Sequence, residues 1–297
     1  MPKSLIGVSL SLAAVIFGVL TGVLVKELAS DINIVTTLFY RFVFSLPFLF
    51  LYGFYVRGTQ LFQINQPRIL LLRTVFGCCG IVFWFLSLRL MPFGMATALF
   101  QSSVLFVTLL SPLLLGEKVG IYRWTAVVVG LAGVVIITNP FAGAVSWYAL
   151  YGVAAALMGA ALSLALRQLG KGDAPASVAC CYNSMAFLVI LAFVLIVPDQ
   201  LQSLSQPVLI NLVFLGLTGF AMQIVITTAY QYSDAVVVAS MRYLQMPISG
   251  VVGYALFTEI MTPNEIAGAF VIIASCLVIA WRELVRSRAA KQPDLVL

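Results

Sequence analysis

Apolar residues run along the chain in ten long blocks, at roughly 5–25, 34–56, 69–90, 93–115, 121–139, 147–167, 177–197, 207–230, 234–257 and 265–282. Each comes close to the about 20 residues that a helix needs to cross a bilayer. The breaks between them are short and rich in turn formers, as in Asn65-Gln66-Pro67, Gly170-Lys171-Gly172-Asp173 and Thr262-Pro263-Asn264. No break is long enough for a soluble domain. The first block is longer than the about 7–15 apolar residues of a secretory signal, and no A-x-A site follows it, so it counts as a span. The pattern predicts an all-α integral membrane protein with ten transmembrane helices.

Composition agrees. Of the 297 residues 62% are apolar and only 9% are charged, against about 25% charged in soluble domains. The solvent for most of this surface must be lipid. The net charge of +6 does not point to nucleic acid, because the basic residues sit at span ends and in the tail. With the N-terminus in the cytoplasm, twelve of the 16 Lys and Arg fall at inside ends, and only Lys26 and Arg89 lie outside. This bias orients the chain with both termini cytoplasmic.

Ten spans divide into five and five, 1–143 and 144–297. An odd number per half makes the second repeat enter the membrane from the opposite side, and inverted repeats with a site where the halves meet belong to secondary transporters. A shift of 142 residues lays Tyr40 on Tyr182, Gly77 on Gly219 and Glu117 on Glu259. The stretch SPLLLGEKV (111–119), followed by a span with Gly130 and Gly133, resembles the end of the first repeat of EamA-type transporters in the drug/metabolite transporter superfamily. YALFTEIM (254–261) is a similar, weaker second copy, and Arg41 matches a basic position often found in the second span. The resemblance covers essentially the whole chain and implies a location in a bacterial inner membrane. It implies a ten-helix metabolite exporter with spans one, three, four, six, eight and nine around a central cavity, organised like bacterial amino-acid exporters, including the aromatic type. One departure stands out. The proline expected early in both repeat-ending helices is Pro247 in the second, but Leu105 in the first.

Helical spacing offers a separate indication of which spans line a cavity. Polar or small stripes run along span nine (Arg242, Gln245, Ser249, Gly253), span four (Thr97, Gln101, Thr108, Ser111), span eight (Gly216, Gly219, Gln223, Thr227, Tyr230) and span three (Arg73, Gly77, Gly80, Trp84, Ser87). Spans one and six carry small-residue stripes (Gly7, Ser11, Ala14, Gly18 and Gly152, Ala156, Gly159, Ser163), for which close packing is explanation enough. Spans five and ten have almost no polar side chain at mid-membrane, which places them at the periphery.

Arg242 lies about eight residues inside its span, roughly 12 Å at 1.5 Å per residue, too deep for easy snorkelling. It reads as an anchor for a carboxylate or phosphate, or as a clamp on backbone carbonyls and tyrosine hydroxyls. Gln245, Gln101 and Gln223 could orient a bound group, with Tyr243 and Tyr230 as hydroxyl partners. Trp84, next to Phe83, is a candidate apolar wall, with core packing the alternative. Arg41 reads as a structural hydrogen-bond node or a second contact. Arg73 is expected to snorkel to the cytoplasmic surface. Tyr182 and Asn183 could face either way.

All ten acidic residues fall at span ends, in loops or in the tail, and there is no histidine. The usual intramembrane proton relays are therefore missing. Imidazole chemistry, HExxH, GxSxG and buried carboxylate pairs are missing too, so an enzyme is not expected. The five cysteines lie in apolar stretches without CxxC spacing and read as packing residues. No cofactor or metal is expected. The reading is a secondary transporter that exports small zwitterionic or anionic metabolites, with amino acids first. A phosphorylated-metabolite or nucleotide-sugar carrier is the transport alternative, and one deep Arg rather than a basic cluster argues against it. A membrane scaffold or channel is the non-transport alternative. The partners are a small-molecule substrate and the lipid bilayer. The oligomeric state is left open, and a monomer is compatible with the pattern.

Overall fold

The computed structural model describes residues 3–115, 120–138, 147–170, 172–197, 199–232 and 241–291. Among these, the chain is helical throughout, joined by short turns. The helices are α1 (Lys3–Glu27), α2 (Ile34–Arg57), α3 (Pro67–Leu90), α4 (Phe93–Gln101), α5 (Ser103–Leu115), α6 (Ile121–Thr138), α7 (Trp147–Leu169), α8 (Pro175–Ile196), α9 (Gln206–Tyr232), α10 (Gln245–Phe257) and α11 (Pro263–Lys291). Eight spans are long and apolar enough to cross a membrane, and Trp124–Thr138 is a shorter apolar helix.

The helix ends follow local chemistry. Asn33 caps α2 by accepting the Thr36 N–H at 2.8 Å. Thr262 and Glu265 start α11 as a reciprocal capping box: Glu265 accepts the Thr262 N–H at 2.8 Å, and its own N–H reaches the Thr262 hydroxyl at 3.3 Å.

Two predicted spans are not continuous. The predicted 93–115 helix breaks at Ser102, between α4 and α5. The Ser102 hydroxyl bonds back to the Leu99 carbonyl at 2.5 Å, and its N–H reaches both Ala98 and Leu99. Such back-bonding competes with the regular helical ladder. Residues 233–240 of the predicted ninth span lie outside the described residues. From Met241 onward that span turns at Tyr243–Leu244 before α10 begins. Pro247 has no N–H for the Tyr243 carbonyl, which instead accepts from Met246 at 3.2 Å. The two breaks stand 142 residues apart, yet one is made by a proline and the other by a serine hydroxyl.

Packing follows an exchange of the two halves. α3 packs on α7, and α1 packs on α9. α2 meets α8, and α6 meets α11. The α6–α11 crossing is close because Gly133 and Gly268 face each other: a Cβ on Gly268 would stand 2.7 Å from the Gly133 carbonyl oxygen. The outer sides of this pair, for example Val128 and Phe270, are exposed.

The loops pair across the halves in the same way. The α1–α2 loop holds the α8–α9 loop, with Asn33 donating to the Gln200 carbonyl at 2.8 Å and Gln202 N–H donating to Thr36 at 3.1 Å. At the other end of α2, Asn65 N–H donates to Asp173 at 2.6 Å, and its side chain donates to the Gly172 carbonyl. The main core draws on α1–α7 and α9–α11 and includes Phe85, Phe93, Leu99, Leu105, Leu212 and Ile272. A belt of exposed Leu, Ile, Val and Phe side chains surrounds it, the surface that a lipid solvent requires. Trp124, Trp147 and Trp281 are exposed, as interfacial anchors would be.

Candidate functional site

The helix breaks bring polar groups from the two halves together. Gln101, 3% exposed, is the last residue of α4, and its Nε2 donates to the main-chain carbonyl of Arg242 just before the second break. A break leaves carbonyls without helical partners, and Gln101 supplies one across the interface. Gln245, also 3% exposed, opens α10 and lies over Gly18 of α1. A Cβ at Gly18 would stand 3.1–3.3 Å from the Gln245 amide. Spans one, four and nine thus meet at three residues singled out by their spacing. Arg242 itself is half-buried.

An aromatic wall stands on α3, α4 and α7. Trp84 packs on Phe100 with the rings tilted by 32° and their centroids 4.4 Å apart, and Phe100 sits against Gly159 of α7. Phe83 stacks on Tyr151 of α7 at 6.3 Å. Phe83 and Trp84 are neighbours in sequence but face different partners.

Other predicted residues are placed elsewhere. Tyr243 is buried in the main core, beside Cys276 of α11. Gln223 is half-buried on α9 and has an interaction partner of its own. The side chain of Tyr230 lies outside the described residues. Asn183 spends its amide on the Ala179 carbonyl at 2.8 Å. Among the cysteines, Cys180 and Cys276 are buried, whereas Cys79 is exposed on α3, so the packing reading fails for that one thiol.

Arg73 corrects an expectation. It does not snorkel to a surface. It is 2% exposed, and its guanidinium carbon lies 3.4 Å from the centre of the Tyr182 ring. Its spacing already carried the signal, since Arg73 shares a helix face with Gly77, Gly80 and Trp84, and that face packs inward. A guanidinium on such a face is carried inward with the glycines. Arg41 approaches the same region from α2, its guanidinium 4.9 Å from the Phe42 ring and 5.9 Å from the Phe85 ring, beside Gly219 of α9. On insertion scales a central Arg costs about 2.5–3.5 kcal/mol, and so about 5–7 kcal/mol for two.

One face of the bundle is tied shut by charge. Lys26 pairs with Glu259 at 2.6 Å and donates to the Met91 carbonyl at 2.7 Å and the Leu88 carbonyl at 3.2 Å. Glu259 also accepts the Phe93 N–H at 2.7 Å. Nearby, Arg89 donates to the carbonyls of Ala29 and Ile32. Glu259 thus caps the start of α4 and joins the two halves through Lys26. Nothing in single-helix periodicity pairs two residues so far apart.

Comparison with known proteins now gives this geometry a setting. The EamA-like transporter family model matches residues 5–139 and again residues 146–281. The chain is 27% identical over 285 residues to the S-adenosylmethionine uptake transporter of Rickettsia bellii, spanning 94% of each chain. It is 31% identical over 223 residues to the riboflavin transporter of Vibrio cholerae, spanning 73% of each. It is 28% identical to the pseudopaline exporter of Pseudomonas aeruginosa over 273 residues, 91% of this chain and 93% of that one. A solved crystal structure superposes with a TM-score of 0.62 at 16% identity, covering 93% of this chain and 98% of that chain, and so shares the fold.

Proposed function

The chain belongs to the EamA-like transporter family, and on that footing we propose that it is a secondary transporter exporting small zwitterionic or anionic metabolites, amino acids foremost. The observation that carries this reading is the meeting of the two broken helices. Gln101, the Arg242 backbone and Gln245 converge there, and main-chain groups freed by the breaks can exchange partners as the halves move. Discontinuous helices at the repeat interface are where transporters of this kind bind cargo. In the proposed arrangement Arg242 holds a carboxylate, Gln101, Gln245 and Gln223 orient the polar part, and Trp84 bounds the apolar part. Tyr243 would act by positioning α11 rather than by touching cargo. The cargoes named for the relatives are small metabolites, moved inward by some and outward by others. Export by this chain rests on its resemblance to exporters, and cytoplasmic termini rest on the Lys/Arg bias.

The phosphorylated-metabolite reading gains from one observation. Arg73 joins Arg41 in the interior, so a deep basic pair exists where a single deep Arg seemed to argue against phosphate.

The test is transport by the purified protein in liposomes, using amino acids and their amides. Arg242→Ala should lose carboxylate-bearing cargo, and Arg242→Lys should recover part of it, because a point charge replaces a bidentate fork. Amide analogues should be poor cargo for the wild type and little changed by Arg242→Ala. Equal losses for acid and amide would make Arg242 a structural clamp.

A further inference from the structure

Arg41 and Arg73 enter one aromatic cluster from different helices and different ends. Arg41 stands seven residues after the start of α2 and Arg73 six after the start of α3, and these helices run antiparallel. Phe42, under the Arg41 guanidinium, and Tyr182, under that of Arg73, belong to one packed cluster that Cys78 of α3 joins. Yet among the described residues no carboxylate joins them: the ion pair there is Lys26–Glu259, and the groups beside the two guanidiniums are the rings of Tyr182, Phe42 and Phe85.

What does touch them leaves their donors free. The contacts with Tyr182, Phe42 and Phe85 set each guanidinium carbon over a ring face. Ring faces are electron-rich and stabilise a cation. A guanidinium presents its N–H groups in its plane, however, so stacking does not satisfy them. Nε and Nη1 of both arginines are buried without a hydrogen-bond partner. Four charged donors without acceptors in a buried site make a cost that a bound acceptor would remove. Glycines let these side chains in: Gly219 flanks the Arg41 guanidinium, and Gly77 admits the Tyr182 ring, since a Cβ there would stand 2.7 Å from it.

The arrangement belongs to one half only. The 142-residue shift lays Gly77 on Gly219 and Tyr40 on Tyr182, but it lays Arg73 on Leu215 and Arg41 on Asn183. Leu215 is a fully buried apolar residue. Packing of the repeat therefore does not call for a guanidinium at that place.

We propose that Arg41 and Arg73, with Tyr182 beside them, form an oxyanion-binding site that receives a carboxylate or phosphate group of the transported metabolite. This rests on the reading that the cargo is anionic or zwitterionic. In-plane N–H groups suit both oxyanions, which accept through paired oxygens.

The test uses the full-length protein in detergent, with inorganic phosphate, acetate or chloride as probes at equal ionic strength. Thermal unfolding of wild type should shift upward saturably with phosphate or acetate, and the stronger of the two identifies the group preferred. Arg73→Gln and Arg41→Gln should abolish that shift, while Arg68→Gln, an exposed residue carrying the same charge, should keep it. Without added anion, the two interior variants should melt no lower than wild type, since each removes an unneutralised buried charge. A structural clamp would show the reverse. Loss of stability without added anion, an equal shift with chloride, or a shift that survives in Arg73→Gln would each overturn the proposal.

Liposome uptake separates this from the wider functional reading. An anionic metabolite carried by wild type should show a KM raised about 10- to 100-fold in either variant, the scale of a lost charge-assisted bond. Unchanged KM with anionic cargo would overturn the site alone. Transport of neutral cargo only, with phosphate still binding and still lost in the variants, would overturn the functional reading and the assignment to cargo while leaving an anion site in place.

Discussion

The guanidinium of Arg73 lies 3.4 Å from the centre of the Tyr182 ring, joining the third span of one half to the second span of the other. Gly77, one turn further along α3, makes room for the same ring. Tyr182 is thus seated on a cation and a glycine from a single helix face, and this contact couples the α3–α8 interface to the buried charge.

A first prediction concerns that seat. In Gly77→Ala the new methyl would stand 2.7 Å from the Tyr182 ring carbons and 3.1 Å from its hydroxyl. The ring must move, and overpacking of this kind costs about 1–3 kcal/mol. Gly80→Ala meets only the Met158 Cβ at 3.3 Å and should cost less. Thermal unfolding of both variants in detergent measures the difference; equal effects would show that the Tyr182 seat is not tight.

The tie between Lys26 and Glu259 yields a second. Glu259→Gln keeps an acceptor for the Phe93 N–H but loses the ion pair, whereas Glu259→Ala loses both. The alanine should be the more destabilising, by about 1–3 kcal/mol for the N–H left without its acceptor. Lys26→Met combined with Glu259→Gln should do less harm than the sum of the two, because each single change strands the other charge. Purely additive losses in a double-mutant cycle would remove the pair as a link between the halves.

A third prediction fixes orientation. Ser30 and Gly172 are exposed in loops at opposite ends of the bundle. With the native cysteines replaced, Ser30→Cys should react with an impermeant thiol reagent from outside the cell, and Gly172→Cys only after the membrane is opened. The opposite result would invert the topology, and labelling of both from one side would contradict the span count.

Coupling supplies a fourth. Among the described residues the acids stand at helix ends, in loops or, for Glu283, on α11 beyond its apolar span Pro263–Trp281; the buried Asp173 is in the α7–α8 loop, held by Asn65. With no carboxylate at mid-membrane among these residues, a substrate gradient alone should drive flux through the liposome-reconstituted protein, with modest dependence on a proton gradient. Strict proton antiport for every cargo would show that an acid outside the described residues serves as the relay.

Much of this architecture was legible in the residues. The spans follow from hydropathy because a bilayer core has a set thickness and every backbone group inside it must be bonded within the helix. The α11 cap follows from Thr262 and Glu265, three apart, because a capping box is closed within one turn. Gln101 and Gln245 stood out because a buried amide needs a polar surround wherever it lies. These are properties of one helix and its solvent.

What the residues could not decide was settled between helices. The fourth span breaks at Ser102 although the proline of its counterpart is missing, because a hydroxyl turns back on the Leu99 carbonyl and Gln101 caps a carbonyl in the other half. Arg73 stays inside, although it is near enough to a helix end to reach the surface, because Tyr182 offers its ring face there and the face shared with Gly77 and Gly80 is packed. Lys26 finds Glu259 only once α1, α4 and the end of α10 have converged. Hydropathy is summed along a segment and so fixes which residues enter the membrane. The neighbour a side chain meets depends on how the helices are rotated against one another, which the bundle as a whole determines.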